Sequence, residues 1–156
     1  MSDQNSRTRT RADVYRLMYR SRDLVPPEHR ADELGDLFSK SRSDNKKRDI
    51  TGALLVSGGA FVQVLEGDEA TVRSLFATIA EDPRHDEVEV LAEGHVGRRT
   101  FEHWSMGEVT PAASALPLIA RVSEIRGGHP PNAAEQERVL AVMREALDDA
   151  GRDDGT

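Results

Sequence analysis

The sequence predicts an α+β fold: an antiparallel sheet with two helices on one face, followed by a helical extension. Three observations carry this. Short segments rich in β-branched and aromatic residues alternate apolar and polar side chains at period two. Two longer stretches repeat apolar residues at i, i+3, i+4 and i+7. A Gly58-Gly59 pair separates two of the strand-like segments, a hairpin signal.

Taken in order, VYRLMYRS from Val14 reads as a first strand. Pro26 and Pro27 then break the pattern and suit the first turn of a helix. Leu34, Leu37, Phe38 and Ser41 have helical spacing, which predicts a helix from Pro27 to about Arg42 and a polar loop, SRSDNKKRD, after it. ITGALLVS and AFVQVLEG are the second and third strands, joined at the two glycines. Asp68 stands where an N-cap belongs, and Val72, Leu75, Phe76 and Ile79 give a second amphipathic helix that stops before Pro83. VEVLAEGHVG is a fourth strand and HWSMGEV a fifth. The order β-α-β-β-α-β-β is that of a ferredoxin-like sheet with an added strand.

The remainder differs in character. A short apolar helix is expected from about Ala115 to Ile125, ended by Gly127-Gly128. Asn132 with Glu135 resembles a capping box, and Val139, Leu140, Met143, Ala146 and Leu147 form one stripe of a last helix. The expected organisation is a flexible start over residues 1–12, a domain over 13–110, a helical extension over 111–150 and a flexible end over 151–156.

Composition narrows the function. The chain has 156 residues, 37% of them hydrophobic, with a mean hydropathy of −0.58. No apolar run approaches the ~18 residues of a membrane span, and the polar start MSDQNSRTRTRAD lacks the apolar centre of a secretory signal. A net charge of −7 argues against a protein held to nucleic acid by phosphate contacts. The absence of cysteine excludes disulfides, thiolate metal sites and cysteine nucleophiles, and fits a cytoplasmic protein. No phosphate-cradling glycine loop and no zinc-protease motif is present, and the five histidines are scattered, so no metal site is expected.

Three placements stand out. Tyr19 shares a strand face with Leu17, Asn45 follows the first helix, and Gln63 lies between Phe61 and Leu65 on the buried face of the third strand. Taken singly, Tyr19 reads as a core tyrosine with its hydroxyl satisfied at the edge, and Asn45 as a turn residue or helix C-cap. Gln63 is harder to explain, because leucine would fill the site with no need of partners. A buried amide calls for a polar partner, and a bound ligand with its own donors and acceptors is one such partner. DPRHDE gathers Asp82, Arg84, His85 and Asp86 and by itself reads as a solvated turn.

The set LMYRS, N-x-x-x-x-I-T-G-A-L-L, F-V-Q-V-L-E-G, D-P-R-H and F-E-H-W-S-M, in this order and spacing, resembles the BLUF family, sensors of blue light using flavin. The resemblance runs from about Tyr15 to Val109. It implies a flavin held without a covalent bond between the two helices over the sheet, FAD first, with FMN or riboflavin as alternatives. By position, Tyr19 and Gln63 match the photochemical pair, and Asn45 the amide that binds the ring's carbonyl and N3–H edge. Trp104 and Met106 match two alternating positions on the fifth strand that compete for the space near Gln63 and relay the signal, with Met106 also counted at the cofactor. Asp82, Arg84 and His85 match a segment near the ribityl and phosphate end. Where members often carry an arginine one turn earlier, this sequence has Thr78. The implied chemistry is transfer of an electron and a proton from Tyr19 to the excited flavin, with Gln63 relaying the proton and ending in a changed hydrogen-bond pattern. Tyr15 and Trp104 are competing electron donors. The implied role is a light sensor, not an enzyme, signalling to an unidentified protein partner, since no output domain fits in the about 45 residues after the fifth strand. The last helix is expected to pack on the sheet's open face, and that otherwise uncovered face argues for a homo-oligomer, a dimer or larger. The alternatives are a flavin-dependent redox enzyme, a ferredoxin-like binding module without photochemistry, and, on fold analogy alone, an acylphosphatase-like enzyme.

Overall fold

The computed structural model describes residues 14–110, 113–123 and 131–150. Strand β1 (Val14–Asp23) leads through a 3-10 turn at Pro27–His29 into α1 (Arg30–Arg48). Then follow β2 (Thr51–Ser57), β3 (Ala60–Gly67), α2 (Glu69–Ala80), β4 (His85–Val96), β5 (Gly107–Val109), a 3-10 turn at Ala113–Ala115, α3 (Leu116–Ser123) and α4 (Ala133–Ala150). The strands lie in the order β4-β1-β3-β2-β5.

The antiparallel ladders of β1 with β3 and β4, and of β2 with β3, are those expected. β5 differs. It runs parallel to β2, pairing Ala53 with Gly107 and Leu55 with Val109, so the sheet is mixed. Gly58 and Gly59 take φ of 59° and 80°, the pair of positive values that a two-residue hairpin turn demands.

Period-two alternation divides the sheet into two cores. Tyr15, Leu17, Tyr19, Leu54, Phe61 and Leu65 face α1 and α2, where Phe38, Val72 and Leu75 are buried. Met18, Ala53, Leu55, Val62 and Val64 face α3 and α4, meeting Ile119, Val122, Val139, Leu140, Met143 and Leu147. The sheet is therefore covered on both faces, as β3 shows by being buried along its whole length. The sheet face opposite α1 and α2, otherwise open to a second copy, is covered by the chain's own last helices.

The caps hold where the sequence places them. Asp68 accepts from Thr71 N at 3.3 Å. Asn132 Oδ1 accepts from Glu135 N at 2.8 Å while Glu135 Oε1 accepts from Asn132 N at 3.2 Å, a reciprocal box. The first helix needs correcting at both ends. It begins at Arg30, after the proline-led 3-10 turn, and continues six residues past Arg42 to Arg48. It ends in a Schellman motif, with Asp49 left-handed at φ 56°, Asp49 N bonding Lys46 O, and Ile50 N bonding Asn45 O at 2.9 Å. Lys46, Lys47 and Arg48 suit the negative end of the helix dipole, which is why a segment with no apolar period stays helical. The third helix is described over Leu116–Ser123; residues 124 and 125, the glycine stop and both chain ends lie outside the described residues. Among the described residues, no helix is long and apolar enough to cross a membrane.

Candidate functional site

Between α1, α2 and the sheet runs a cleft in two adjoining parts. One, of about 50 Å³, is lined by Tyr19, Leu37, Ser41, Leu54, Phe61, Gln63, Ile79, Asp82, Arg84 and His85. The other, of about 190 Å³, shares Leu37, Ser41, Gln63, Ile79, Asp82 and Arg84 with the first. It adds Lys40, Asp44, Asn45, Arg48, Leu65, Leu75, Thr78 and Met106. The walls are aliphatic and aromatic, two amides stand on them, and charged side chains gather on α1 and at the turn before β4.

Tyr19 and Gln63 are directly opposite each other in the β1–β3 ladder, and the shared face turns both side chains into the cleft. Tyr19 Oη donates a hydrogen bond to Gln63 Oε1, and both residues are buried. Burial, and then the charge of Asp82, push the Tyr19 phenol far above its ordinary value, so it keeps its proton at any ordinary pH. Gln63 Nε2 points the other way and donates to Met106 Sδ at 3.4 Å. The amide thus spans from the phenol to the thioether, with its acceptor end on one and its donor end on the other.

Asn45 is in the last turn of α1, not in a loop. Its Nδ2 donates to Ser105 O at 2.7 Å, tying the helix to the segment before β5. Arg42, one turn earlier, donates from Nε to Met106 O at 3.2 Å. These two bonds hold the segment that presents Met106.

Trp104 and Met106 are two residues apart but do not share a face. HWSMGEV is not one regular strand, because β5 begins only at Gly107. Met106 enters the cleft-side core beside Gln63. Trp104 enters the tail-side core, with the Arg144 guanidinium 5.1 Å above its indole. The competition for the space near Gln63 is resolved here in favour of Met106.

The turn before β4 is only partly solvated. Asp82 accepts from Arg84 N at 2.9 Å and pairs with its guanidinium, Oδ2 to Nη2 at 2.6 Å. That guanidinium holds the Asp82 carboxyl below its ordinary value and is itself pushed up. His85 is buried as the first residue of β4. Its Nε2 lies 2.7 Å from Ile79 O, which can only accept, so Nε2 carries a proton, and Nδ1 pairs with Ser21 Oγ at 2.7 Å. The ring stands edge-on to Tyr19 at 6.1 Å. Ser21 was missed in the sequence, although it continues the alternation Tyr15, Leu17, Tyr19 as a small polar residue on an apolar face. Of the competing donors, Tyr15 bonds Glu93 at the far end of the same face, and Trp104 lies across the sheet.

The model of the BLUF family, sensors of blue light using FAD, matches residues 14–107. The chain belongs to this family. Among curated relatives, the photoactivated adenylate cyclase subunit alpha of Euglena gracilis is 38% identical over 91 residues, 58% of this chain and 9% of that protein. The blue light- and temperature-regulated antirepressor BluF of Escherichia coli (strain K12) is 37% identical over 86 residues, 53% of this chain and 20% of that protein. The matches thus span about a tenth to a fifth of these longer relatives. Among solved structures, BlsA in its photo-activated state superposes with a TM-score of 0.75 at 26% identity, covering 86% of this chain and 96% of that one. The dark state of BlrB, a BLUF protein, gives 0.70 at 26% identity, covering 86% and 97%. Klebsiella pneumoniae BlrP1 with FMN and cyclic diGMP gives 0.61 at 31% identity, covering 85% of this chain and 34% of that one. This BLUF protein is accordingly a flavin-binding blue-light sensor, with an α+β sheet and C-terminal helices shared with short members of the family.

Proposed function

We propose that the protein senses blue light through a hydrogen-bond switch at Gln63, driven by Tyr19 and passed through Met106 to a protein partner. The Tyr19–Gln63–Met106 chain of hydrogen bonds on the cleft wall carries this reading. The residues present suit a flavin. Leu37, Leu54, Leu65, Leu75 and Ile79 offer apolar walls to a planar ring, the amides of Asn45 and Gln63 offer donors and acceptors to its polar edge, and Asp82, Arg84 and His85 stand toward a polar tail. Tyr19 and Met106, which also line the cleft, would complete the surroundings of such a ring. FAD is the first candidate, with FMN as an alternative.

A bound flavin supplies absorption of blue light and an excited state that takes up an electron. Tyr19, neutral and hydrogen-bonded, gives up an electron together with its phenolic proton. The proton leaves along the bond already formed, to Gln63 Oε1, and is returned when the charge recombines. Gln63 is left with the donor and acceptor roles of its amide exchanged, whether by rotation or by tautomerisation. If the group rotates, Nε2 faces the Tyr19 oxygen, which has lone pairs to accept it, while Oε1 faces Met106 Sδ, which has no proton to give. Met106 loses its bond to Gln63, and the segment from Met106 into β5 is released from that contact. The light state biases the output through this difference in contacts.

Gln63→Leu is expected to keep the flavin and lose the light-induced red shift of its absorption band. Tyr19→Phe is expected to do the same by removing the proton and electron source. Dark and illuminated absorption spectra of both variants test the reading, and a normal, reversible shift in Gln63→Leu would sink it. Purified protein that stays colourless when offered FAD, FMN and riboflavin would favour a binding module without photochemistry.

A further inference from the structure

The switch makes no use of one fully buried carboxylate, that of Glu66. It lies on β3 three residues beyond Gln63 and faces the tail side of the sheet with Val62 and Val64. Burial raises the affinity of this group for a proton, and nearby donors only partly offset that, so an apolar side chain would fill the place more cheaply. What the carboxylate does is hold backbone. Oε2 accepts from Thr100 N at 2.7 Å and Oε1 from Phe101 N at 2.8 Å. Both oxygens thus grip consecutive amides of the connection between β4 and β5. Arg16 supports the grip, 3.7 Å from Oε2 and bonded to Thr100 Oγ1 at 3.0 Å.

The gripped turn leads straight to Trp104. Trp104 N donates to Phe101 O at 3.1 Å, and Trp104 O accepts from Gly52 N at 3.0 Å. Arg144 of α4 donates to Thr100 O at 2.7 Å from the same guanidinium that covers the indole. The backbone on either side of Trp104 is therefore fixed to β2, β3 and α4. Only beyond it, at Ser105 and Met106, does the chain cross to the cleft side. We infer that Glu66 is a positioning residue that seats Trp104 in the tail-side core and thereby leaves Met106 alone against Gln63. Trp104 keeps its seat in the dark and in the light, and the moving unit begins after it. The statement about light rests on the proposed photoswitch, whereas the seating of Trp104 by Glu66 does not.

Trp104 is the single tryptophan of the chain, so its fluorescence reports the seat directly. The experiment measures the emission maximum and acrylamide quenching of the full chain loaded with FAD, in the dark and under blue light, for wild type, Glu66→Gln and Glu66→Ala. Wild type is expected to show buried, weakly quenched emission that illumination does not change. Glu66→Ala, which leaves two loop amides without acceptors, is expected to raise quenching severalfold with native far-ultraviolet circular dichroism. Glu66→Gln retains one acceptor and falls between. Unchanged quenching in Glu66→Ala, or a wild-type emission that shifts on illumination, overturns the inference. Where Glu66→Ala does not fold, natively folded Glu66→Gln decides: raised quenching supports the inference and wild-type quenching overturns it. A chain that binds no flavin, or shows no red shift, removes the photoswitch; the dark comparison of wild type with the variants still decides the role of Glu66.

Discussion

Gly107 is the point where β5 touches the tail, and adding one methyl group there tests that contact. A Cβ at this position would stand 2.6 and 2.7 Å from the two Leu147 methyl groups and 3.2 Å from its Cγ. Leu147 is 2% exposed and packed among the tail-side core, so it has no open space to turn into. Gly107→Ala is therefore an overpacking change, expected to cost about 1–3 kcal/mol. For a chain of this size that lowers the melting temperature by about 2–12 °C. Urea denaturation should show a lower midpoint with an unchanged slope. Leu147→Ala alone should cost about 2–5 kcal/mol by opening a cavity. In that background the new methyl has room, so Gly107→Ala should cost almost nothing, a coupling of about 1–3 kcal/mol in the double-mutant cycle. An equal loss from Gly107→Ala in both backgrounds would refute the reasoning. The penalty would then belong to the short β2–β5 ladder and not to the contact with α4.

Two further predictions concern pH. The Arg121 guanidinium, and then the Asn132 amide, hold the Glu135 carboxyl down at about 2 against an ordinary value of 4.5. Its folded value lies below its unfolded one, so its contribution is complete above 4.5 and is lost as pH falls toward 2. The stability gap between wild type and Glu135→Gln should be flat above about pH 5 and narrow below it, and a gap unchanged down to pH 2 would contradict this. Both tyrosines of the chain hold their protons more tightly than usual. Burial and the Glu93 carboxylate push Tyr15 up to about 12, and burial pushes Tyr19 higher still. An alkaline titration followed by phenolate absorbance should show no step near 10 while the protein is folded, with stability falling as pH rises past that value; a clean step at 10 in folded protein would refute it.

The parts of the site that rest on local period were legible in the sequence. Tyr19 and Gln63 could be assigned to one face because alternation along β1 and β3 is nearly unbroken, and an amide on an apolar face is conspicuous. The caps at Asp68 and Asn132 were legible for the same reason, since each satisfies amides within one turn. Asn45 was misplaced into a loop because the apolar repeat of α1 runs out at Ser41. What extends the helix is a buried amide bonded to Ser105 O, sixty residues away, together with a charged last turn. Trp104 and Met106 could not be told apart, because their spacing of two implies one face in a regular strand. They separate only because anchors from β2, β3, α1 and α4 bend the chain between them. Glu66, in the same FVQVLEG block as Gln63, could not be read at all without the amides of Thr100 and Phe101.

These anchors also bound what the proposed switch can do. The bond that Gln63 gives up to Met106 is an N–H to a weak acceptor, and the net worth of such a hydrogen bond is at most about 1 kcal/mol. That shifts a two-state equilibrium by several-fold, not by orders of magnitude. The tail is held by Val139, Leu140, Met143 and Leu147 in a continuous apolar core, by Arg144 on Thr100 and by the Arg121–Glu135 clamp. Release of α4 from the sheet would expose several large side chains at roughly 1.5–3 kcal/mol each, far more than the switch supplies. The element matched to the available energy is the three-residue β5, with its short ladder to β2 and its close approach to Leu147 at Gly107. On the proposed switch, a signal of this size therefore leaves as a small change of β5 against a tail that stays docked.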